Sequence, residues 1–148
     1  MTVCHTHPGA AFGKGWDTPA QSDHERPLNQ CGKQAAKALG NWFRRQGWHP
    51  DQVRSSDSER TKQAFAGLGL KTGVMFTNDL YHASEDQMLR ILSRATGDVV
   101  LMLGQVTGIA AFAAKLAHEA PENGRFFDYP SGATLVLRFD TDTWSTGT

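Results

Sequence analysis

The chain has 148 residues and a mass of 16.2 kDa, a size typical of one compact domain, and we expect residues 1–148 to form a single domain. Hydrophobic residues make up 39% and charged residues 20% of the chain, which excludes an intrinsically disordered protein. The 15 Lys and Arg residues balance the 15 Asp and Glu residues. A general nucleic-acid-binding protein needs a basic excess to neutralise phosphates, so we expect no nucleic-acid partner.

Targeting signals and disulfides are not expected from this sequence. No apolar run approaches the ~20 residues that cross a bilayer, so we expect no membrane partner. The first ten residues lack the basic start and apolar core of a signal peptide. Cys4 and Cys31 are too few for a disulfide scaffold. We therefore expect a cytoplasmic protein with free thiols.

The first third of the chain predicts a short strand, a long loop and a helix. Residues 2–6 are a weak strand candidate, and residues 9–27 are rich in glycine, proline and polar side chains. Loops of this length are uncommon in small domains and often carry function. A helix is predicted from about Gln30 to Gln46, with Gly47 as its end. Its apolar face consists of Ala35, Ala36, Leu39, Trp42 and Phe43.

The middle of the chain alternates short strands with helices. Gln52–Ser55 and Val74–Phe76 are strand candidates, and a helix is predicted between them from about Ser58 to Leu68. Ser84, with Gln87 three residues later, has the pattern of a capping box. It would open a helix over Asp86–Arg94.

The last third contains the strongest strand signal. Val99–Leu103 is a continuous apolar run, typical of a central strand buried on both faces. A helix is predicted from about Gly108 to His118, and apolar and polar residues alternate over residues 134–139. Strands that alternate with helices indicate an α/β domain with a mainly parallel central sheet.

Three segments follow predicted strands, where open α/β sheets bind their ligands. They are Thr6–His7, Ser55–Arg60 and Gly104–Gln105. Arg60 is the strong anion ligand among them, because a guanidinium binds phosphate bidentately and keeps its charge at any working pH. It would also lie near a helix start, where free N–H groups favour an anion. A solvated arginine on a helix is the alternative.

Several motifs occur in an order and spacing that resemble the histidine phosphatase superfamily, in its short SixA-type branch. The two most specific are D-x-x-R-P-L at Asp23–Leu28 and S-S-x-x-x-R-T-x-Q at Ser55–Gln63. Leu80–Ser84, Val99–Gly104 and Tyr129–Ala133 extend the match over nearly the whole chain from Trp16 onward. The resemblance implies a three-layer α/β sandwich of the phosphoglycerate-mutase-like kind. It also implies phosphatase chemistry on phosphohistidine or small phosphomonoesters, without a cofactor or metal.

The resemblance implies a nucleophilic histidine in an Arg-His motif after the first strand, and here the alignment is open. A gapped alignment makes Val3–Thr6 the strand, His7 the nucleophile and Thr6 the replacement for the arginine. An ungapped alignment would place Ala10 and Ala11 at the Arg-His motif. We favour the gapped version, because the ungapped one makes a strand of residues that include Pro8 and Gly9.

A second departure follows the central strand. The family's second histidine is replaced by Gln105, and a position that is often acidic is occupied by His82. We predict His7, Arg60 and Gln105 as catalytic residues, and Thr6, Arg60 and Gln105 as phosphate ligands. Loss of one preorganised donor costs ~10²–10³ in rate. We therefore expect weakened or lost catalysis.

Two function classes follow from these residues. One is a divergent phosphohistidine or phosphomonoester phosphatase, and the alternative is a non-catalytic module that binds a phosphate-bearing small molecule or phosphoprotein. The oligomeric state is left open.

Other polar groups have simpler interpretations. Cys4, His5 and His7 include metal-ligand types, but the sequence has no second cluster to complete a site, so no metal is expected. Asp23 and Arg26 are predicted to form an ion pair beside the pocket, and His24 to be a surface or capping residue.

Overall fold

The computed structural model describes residues 2–5, 22–117 and 133–145, and residues 2–5 only through their backbone pairing. The described residues form a five-stranded sheet, four α-helices and two short 3-10 helices at Asp23–Glu25 and Asn78–Leu80. The strands are β1 (Thr2–His5), β2 (Gln52–Ser56), β3 (Val74–Thr77), β4 (Val100–Gly104) and β5 (Thr134–Val136). The helices are α1 (Gln30–Gln46), α2 (Glu59–Leu68), α3 (Glu85–Leu92) and α4 (Val106–Leu116).

The sheet has the strand order β3-β2-β4-β1-β5, and its first four strands are parallel. Strand β5 pairs with β1 in the antiparallel direction. In the register of the sheet, Leu103 of β4 lies beside Ser55 of β2, and Gly104 lies beside His5 of β1. The carboxyl ends of these strands therefore meet at one edge, and the mainly parallel sheet predicted from the sequence is confirmed.

Strand β4 is the centre of the domain and is buried over its whole length. Val100 and Met102 face one side, in an apolar cluster with residues of α3 and α4 that include Met88, Leu92, Ile109 and Phe112. Leu101 and Leu103 face the other side, with Phe43 of α1 and Leu68 of α2. Helices thus cover both faces of the sheet, which makes the domain the three-layer sandwich that was expected.

The helix boundaries follow local signals in the sequence. Helix α1 has the predicted bounds, because the Asn29 side chain accepts a hydrogen bond from the Gly32 backbone and Gly47 adopts a left-handed conformation at φ 70°. The capping box of Ser84 and Gln87 is present at the start of α3. The bounds of α2, α3 and α4 shift by one or two residues from those predicted.

Helices α1 and α2 approach each other very closely. A Cβ atom built at Gly40 would stand only 2.2 Å from the carbonyl oxygen of Leu68, so a larger residue would force the two helices apart. This contact holds α2 against α1, and α2 carries Arg60.

The N-terminal strand lies at Thr2–His5, within the predicted range of residues 2–6 and not at residues 6–9 as the ungapped alignment requires. The predicted functional residues Thr6 and His7 lie outside the described residues, as do most of the predicted 9–27 loop and residues 129–132 of the Tyr129–Ala133 motif. Within the described ranges, no helix has the length and apolar character needed to span a membrane.

Candidate functional site

Polar side chains from four segments meet at the carboxyl edge of the sheet. The segments are the 3-10 helix at Asp23–Glu25, the β2–α2 turn, the residues after β3, and Gln105 after β4. The described side chains of this site are Asp23, His24, Asp57, Arg60, Tyr81, His82 and Gln105.

A buried hydroxyl network holds the β2–α2 turn, from which Arg60 projects. Ser56, Ser58 and Thr61 are all at most 1% exposed. The Thr61 hydroxyl donates to the carbonyl oxygen of Ser56 at 2.6 Å and lies 3.0 Å from the Ser58 hydroxyl. Because every buried hydroxyl here has a partner, the turn has little freedom to move. The second residue of α2 is therefore held in a fixed position.

Arg60 is almost completely buried and binds the carboxylate of Asp23. Its side chain is 2% exposed, whereas that of Asp23 is 43% exposed. Nη1 lies 3.2 Å from Oδ1 of Asp23 and Nη2 lies 3.0 Å from Oδ2, while Nη1 also donates to the Asp23 backbone oxygen at 2.8 Å. The sequence predicted Arg26 as the partner of Asp23. The bidentate pair is formed with Arg60 instead, and Arg26 acts on Asp23 through its charge.

Several donors surround the Asp23 carboxylate. The Tyr81 hydroxyl donates to Oδ2 at 3.1 Å, and Nε2 of His82 lies 4.0 Å from the same oxygen. The hydrogen bond from Arg60 holds the pKa of Asp23 below its usual 3.8, against the opposing effect of burial. The charge of Arg60 and the Tyr81 hydroxyl lower the pKa further. Asp23 is thus a carboxylate at neutral pH.

Tyr81 links Asp23 to Gln105. Burial, followed by the hydrogen bond and the negative charge of Asp23, raises the pKa of Tyr81 above its usual 10.0, so the phenol stays protonated. The charge of Arg60 and, more weakly, the nearby Gln105 side chain oppose this shift, although Nε2 of Gln105 makes no hydrogen bond within the described part of the chain. Gln105 is 8% exposed and precedes the first residue of α4.

Two buried donors at this site have no hydrogen-bond partner within the described part of the chain. They are Nε of Arg60 and Nε2 of Gln105. A buried donor without a partner costs about 1–3 kcal/mol. Both belong to elements whose ends meet at the carboxyl edge, and both are connected through Tyr81 and Asp23. An anion with several acceptor oxygens would satisfy them together.

His24 forms a second pair at the rim of the site. Its Nε2 lies 2.7 Å from Oδ1 of Asp57, and its ring meets that of Tyr81 edge-on at 4.7 Å between centroids. Burial acts to raise the pKa of Asp57, but the hydrogen bond and charge of His24 outweigh it and leave that pKa lowered. On the other side of Tyr81, His82 also packs edge-on, at 4.3 Å, and has the unusual φ of 51°. Tyr81 therefore stands between two histidines.

The structure brings together two of the four residues predicted for the site. Arg60 and Gln105 lie at the same edge of the sheet, whereas Thr6 and His7 lie outside the described residues and remain predictions. In the ranges 22–117 and 133–145, no group of three or more His, Cys, Asp or Glu side chains is arranged to hold a metal ion. The proposed nucleophile follows β1, whose last residue pairs with Gly104.

Sequence reasoning missed Asp57 and Tyr81 as members of the site, and it placed Asp23 beside the pocket without its pair to Arg60. A usable signal for Tyr81 existed, because β3 is also a parallel strand and its carboxyl end lies at the same edge as those of β2 and β4. The pair of Asp23 with Arg60 spans 37 residues and has no signature in local spacing.

Comparison with known proteins agrees with this fold. Residues 15–81, which include Asp23, Arg60 and Tyr81, match the family model of the histidine phosphatase superfamily, branch 1. No curated protein matches the sequence significantly. The family-model match and the sheet architecture together make the chain similar to the histidine phosphatase superfamily.

Solved structures of SixA-type proteins are similar to this chain over most of its length. A protein from Nakamurella multipartitia assigned as the phosphohistidine phosphatase SixA is 26% identical, with a TM-score of 0.80 over 99% of this chain and 88% of that one. An Agrobacterium tumefaciens protein with the same assignment is 19% identical, with a TM-score of 0.72 over 90% of this chain and 88% of that one. The histidine phosphatase SixA complexed with tungstate is also 19% identical, with a TM-score of 0.70 and coverages of 99% and 91%. The resemblance to the short SixA-type branch is confirmed.

Proposed function

We propose that this protein binds phosphoryl groups at Arg60 and Gln105, and that it is a phosphohistidine or phosphomonoester phosphatase with weakened catalysis. The observation that carries the proposal is the pair of buried, unpartnered donors, Nε of Arg60 and Nε2 of Gln105, within the described residues. The likeness to SixA proteins, one of which is complexed with tungstate, supports a phosphate-shaped ligand.

The proposed chemistry uses a histidine as a transient phosphoryl acceptor. An imidazole nitrogen of His7 would attack phosphorus while the bond from phosphorus to the leaving group breaks, and water would then release phosphate from the histidine. A phosphoryl transition state spreads negative charge over its oxygens, and positive donors stabilise it. Arg60 supplies one such charge.

Two features of the site favour weak turnover. Gln105 offers a neutral amide donor where the resemblance implies a histidine. The charge of Arg60 is also largely offset by the carboxylate of Asp23, 3.0 Å from Nη2. These two features support the second candidate as well, a module that binds a phosphorylated small molecule or protein without turnover. The proposed location is the cytoplasm, and the described thiol, that of Cys31, is free.

The first experiment measures hydrolysis of p-nitrophenyl phosphate and of a phosphohistidine peptide. We expect slow turnover that falls ~10²–10³-fold in Arg60→Ala, because a preorganised charged donor is lost. His7→Ala should abolish it, and an unchanged rate in that variant would exclude His7 as the nucleophile.

The second experiment separates catalysis from binding. Phosphate or tungstate should raise the melting temperature of the wild type, and Arg60→Ala should remove that shift. Stabilisation without turnover identifies the binding module. Absence of any shift in the wild type would contradict both candidates.

A further inference from the structure

We infer that Asp23 is an internal ligand of Arg60 that lowers the affinity of this site for phosphate and so sets which anions it accepts. The inference rests on the proposed function, because it concerns the same anion site. It assigns to Asp23 a role in specificity.

The first support is the geometry of the guanidinium. Asp23 takes both N–H groups of Nη1, one through its backbone oxygen and one through Oδ1, and one N–H of Nη2 through Oδ2. Nε and the second N–H of Nη2 are what remain for a ligand among the described contacts. A phosphoryl group would therefore share Arg60 with a carboxylate, or would displace it.

The second support is the charge balance. Arg60 is 2% exposed, and a buried cation requires a nearby anion. Asp23 already supplies that anion, so a phosphate entering the site gains less from Arg60 than it would at a bare guanidinium. It also meets a like charge within a few ångströms, in surroundings that screen charges less than bulk water does.

The third support is how firmly Asp23 is held. The Tyr81 hydroxyl donates to the same Oδ2 that Nη2 of Arg60 contacts, and Nε2 of His82 lies 4.0 Å from it. Displacing the Asp23 carboxylate from Arg60 would break the hydrogen bonds that both donors make to this oxygen, which costs free energy. Asp23 is nevertheless 43% exposed, so it lies at the mouth of the site, where an incoming ligand would meet it.

Isothermal titration with inorganic phosphate and with tungstate tests this role in Asp23→Asn and Asp23→Ser. Both variants remove the charge, and the first keeps the size of the side chain. We expect either one to bind phosphate at least about tenfold more tightly than the wild type. The matched control is Asp86→Asn, which removes an exposed carboxylate that pairs with Lys115 and should leave the affinity unchanged.

The possible results distinguish a failure of this inference from a failure of the proposed function. Equal or weaker phosphate binding in both Asp23 variants, with binding in the wild type, would overturn the inference and leave the proposed function standing. Weaker binding would mean that Asp23 orients Arg60 for the ligand. Absence of binding in the wild type and in every folded variant would instead overturn the proposed anion site itself. Thermal unfolding of each variant identifies those that are folded.

Discussion

Gly108 in α4 packs directly on the backbone at Ala83. A Cβ atom at position 108 would stand 2.3 Å from the carbonyl oxygen of Ala83 and 2.7 Å from Cε of Met88. This contact joins the start of α4 to the segment that follows Tyr81. It therefore sets the spacing between Gln105 and Tyr81, the two residues that border the proposed anion site.

Gly108→Ala should destabilise the protein by about 1–3 kcal/mol, because a backbone carbonyl cannot give way as a side chain can. Urea unfolding followed by circular dichroism measures the loss. Gly73→Ala is the matched control, since a Cβ atom there meets nothing within 4 Å. Alanine has the higher helix propensity, so propensity alone would stabilise Gly108→Ala. A variant at position 108 that is as stable as the wild type would show that the contact with Ala83 costs little.

Arg60→Lys tests whether phosphate binding needs the planar guanidinium of Arg60 or only its positive charge. A lysine ammonium keeps the positive charge but cannot bind a carboxylate bidentately. We expect the melting temperature of this variant to fall. Its apparent affinity for phosphate, obtained from the rise in melting temperature with phosphate, should drop at least about tenfold. Lys62→Arg on the exposed side of α2 serves as the control for a general change of cation. Full retention of phosphate binding in Arg60→Lys would contradict a bidentate site.

Much of the fold follows from local patterns in the sequence. The uninterrupted apolar run at Val99–Leu103 identified the central strand, and helix α1 has the bounds that its apolar face and Gly47 predicted. Such features depend on neighbours a few residues apart, which spacing records directly.

The side-chain pairs within the site could not be predicted from local patterns. The partner of Asp23 lies 37 residues further along the chain, and the partner of His24 lies 33 residues away. Both pairs exist because parallel strands bring their ends to one edge, a consequence of topology and not of local spacing. The sequence could indicate that Arg60 binds an anion. It could not indicate that the carboxylate of Asp23 is such an anion.

Acid should weaken the folded state in part through Asp23. Its pKa in the folded protein is held below 3.8, foremost by the hydrogen bond from Arg60. A lowered folded-state pKa contributes stability that is fully present above the unfolded value of about 3.9 and is lost as the pH falls through the folded value. The free energy of unfolding in the wild type should therefore decline below about pH 4.

Asp23→Asn removes this contribution, so its stability should fall less steeply between pH 5 and pH 2 in urea titrations, about the range over which a lowered Asp pKa acts. Asp86→Asn provides the comparison, because its pair with Lys115 is exposed and solvent screens it. An acid dependence in Asp23→Asn identical to that of the wild type would show that the Arg60 pair contributes nothing measurable to folding.

Gln105→His tests why catalysis is expected to be weak. Gln105 is 8% exposed, stands immediately before α4 and has an Nε2 without a partner among the described residues, so an imidazole placed there would face the same ligand. A histidine is partly protonated near pH 6 and would add the charged donor that the transition state lacks. Hydrolysis of p-nitrophenyl phosphate at pH 6 should rise at least about tenfold. Gln105→Asn, which stays neutral, should give no increase. If the histidine variant is folded and binds phosphate but turns over no faster, the absence of a second histidine does not limit the rate. The predicted replacement of the first arginine by Thr6 is then the cause to test next.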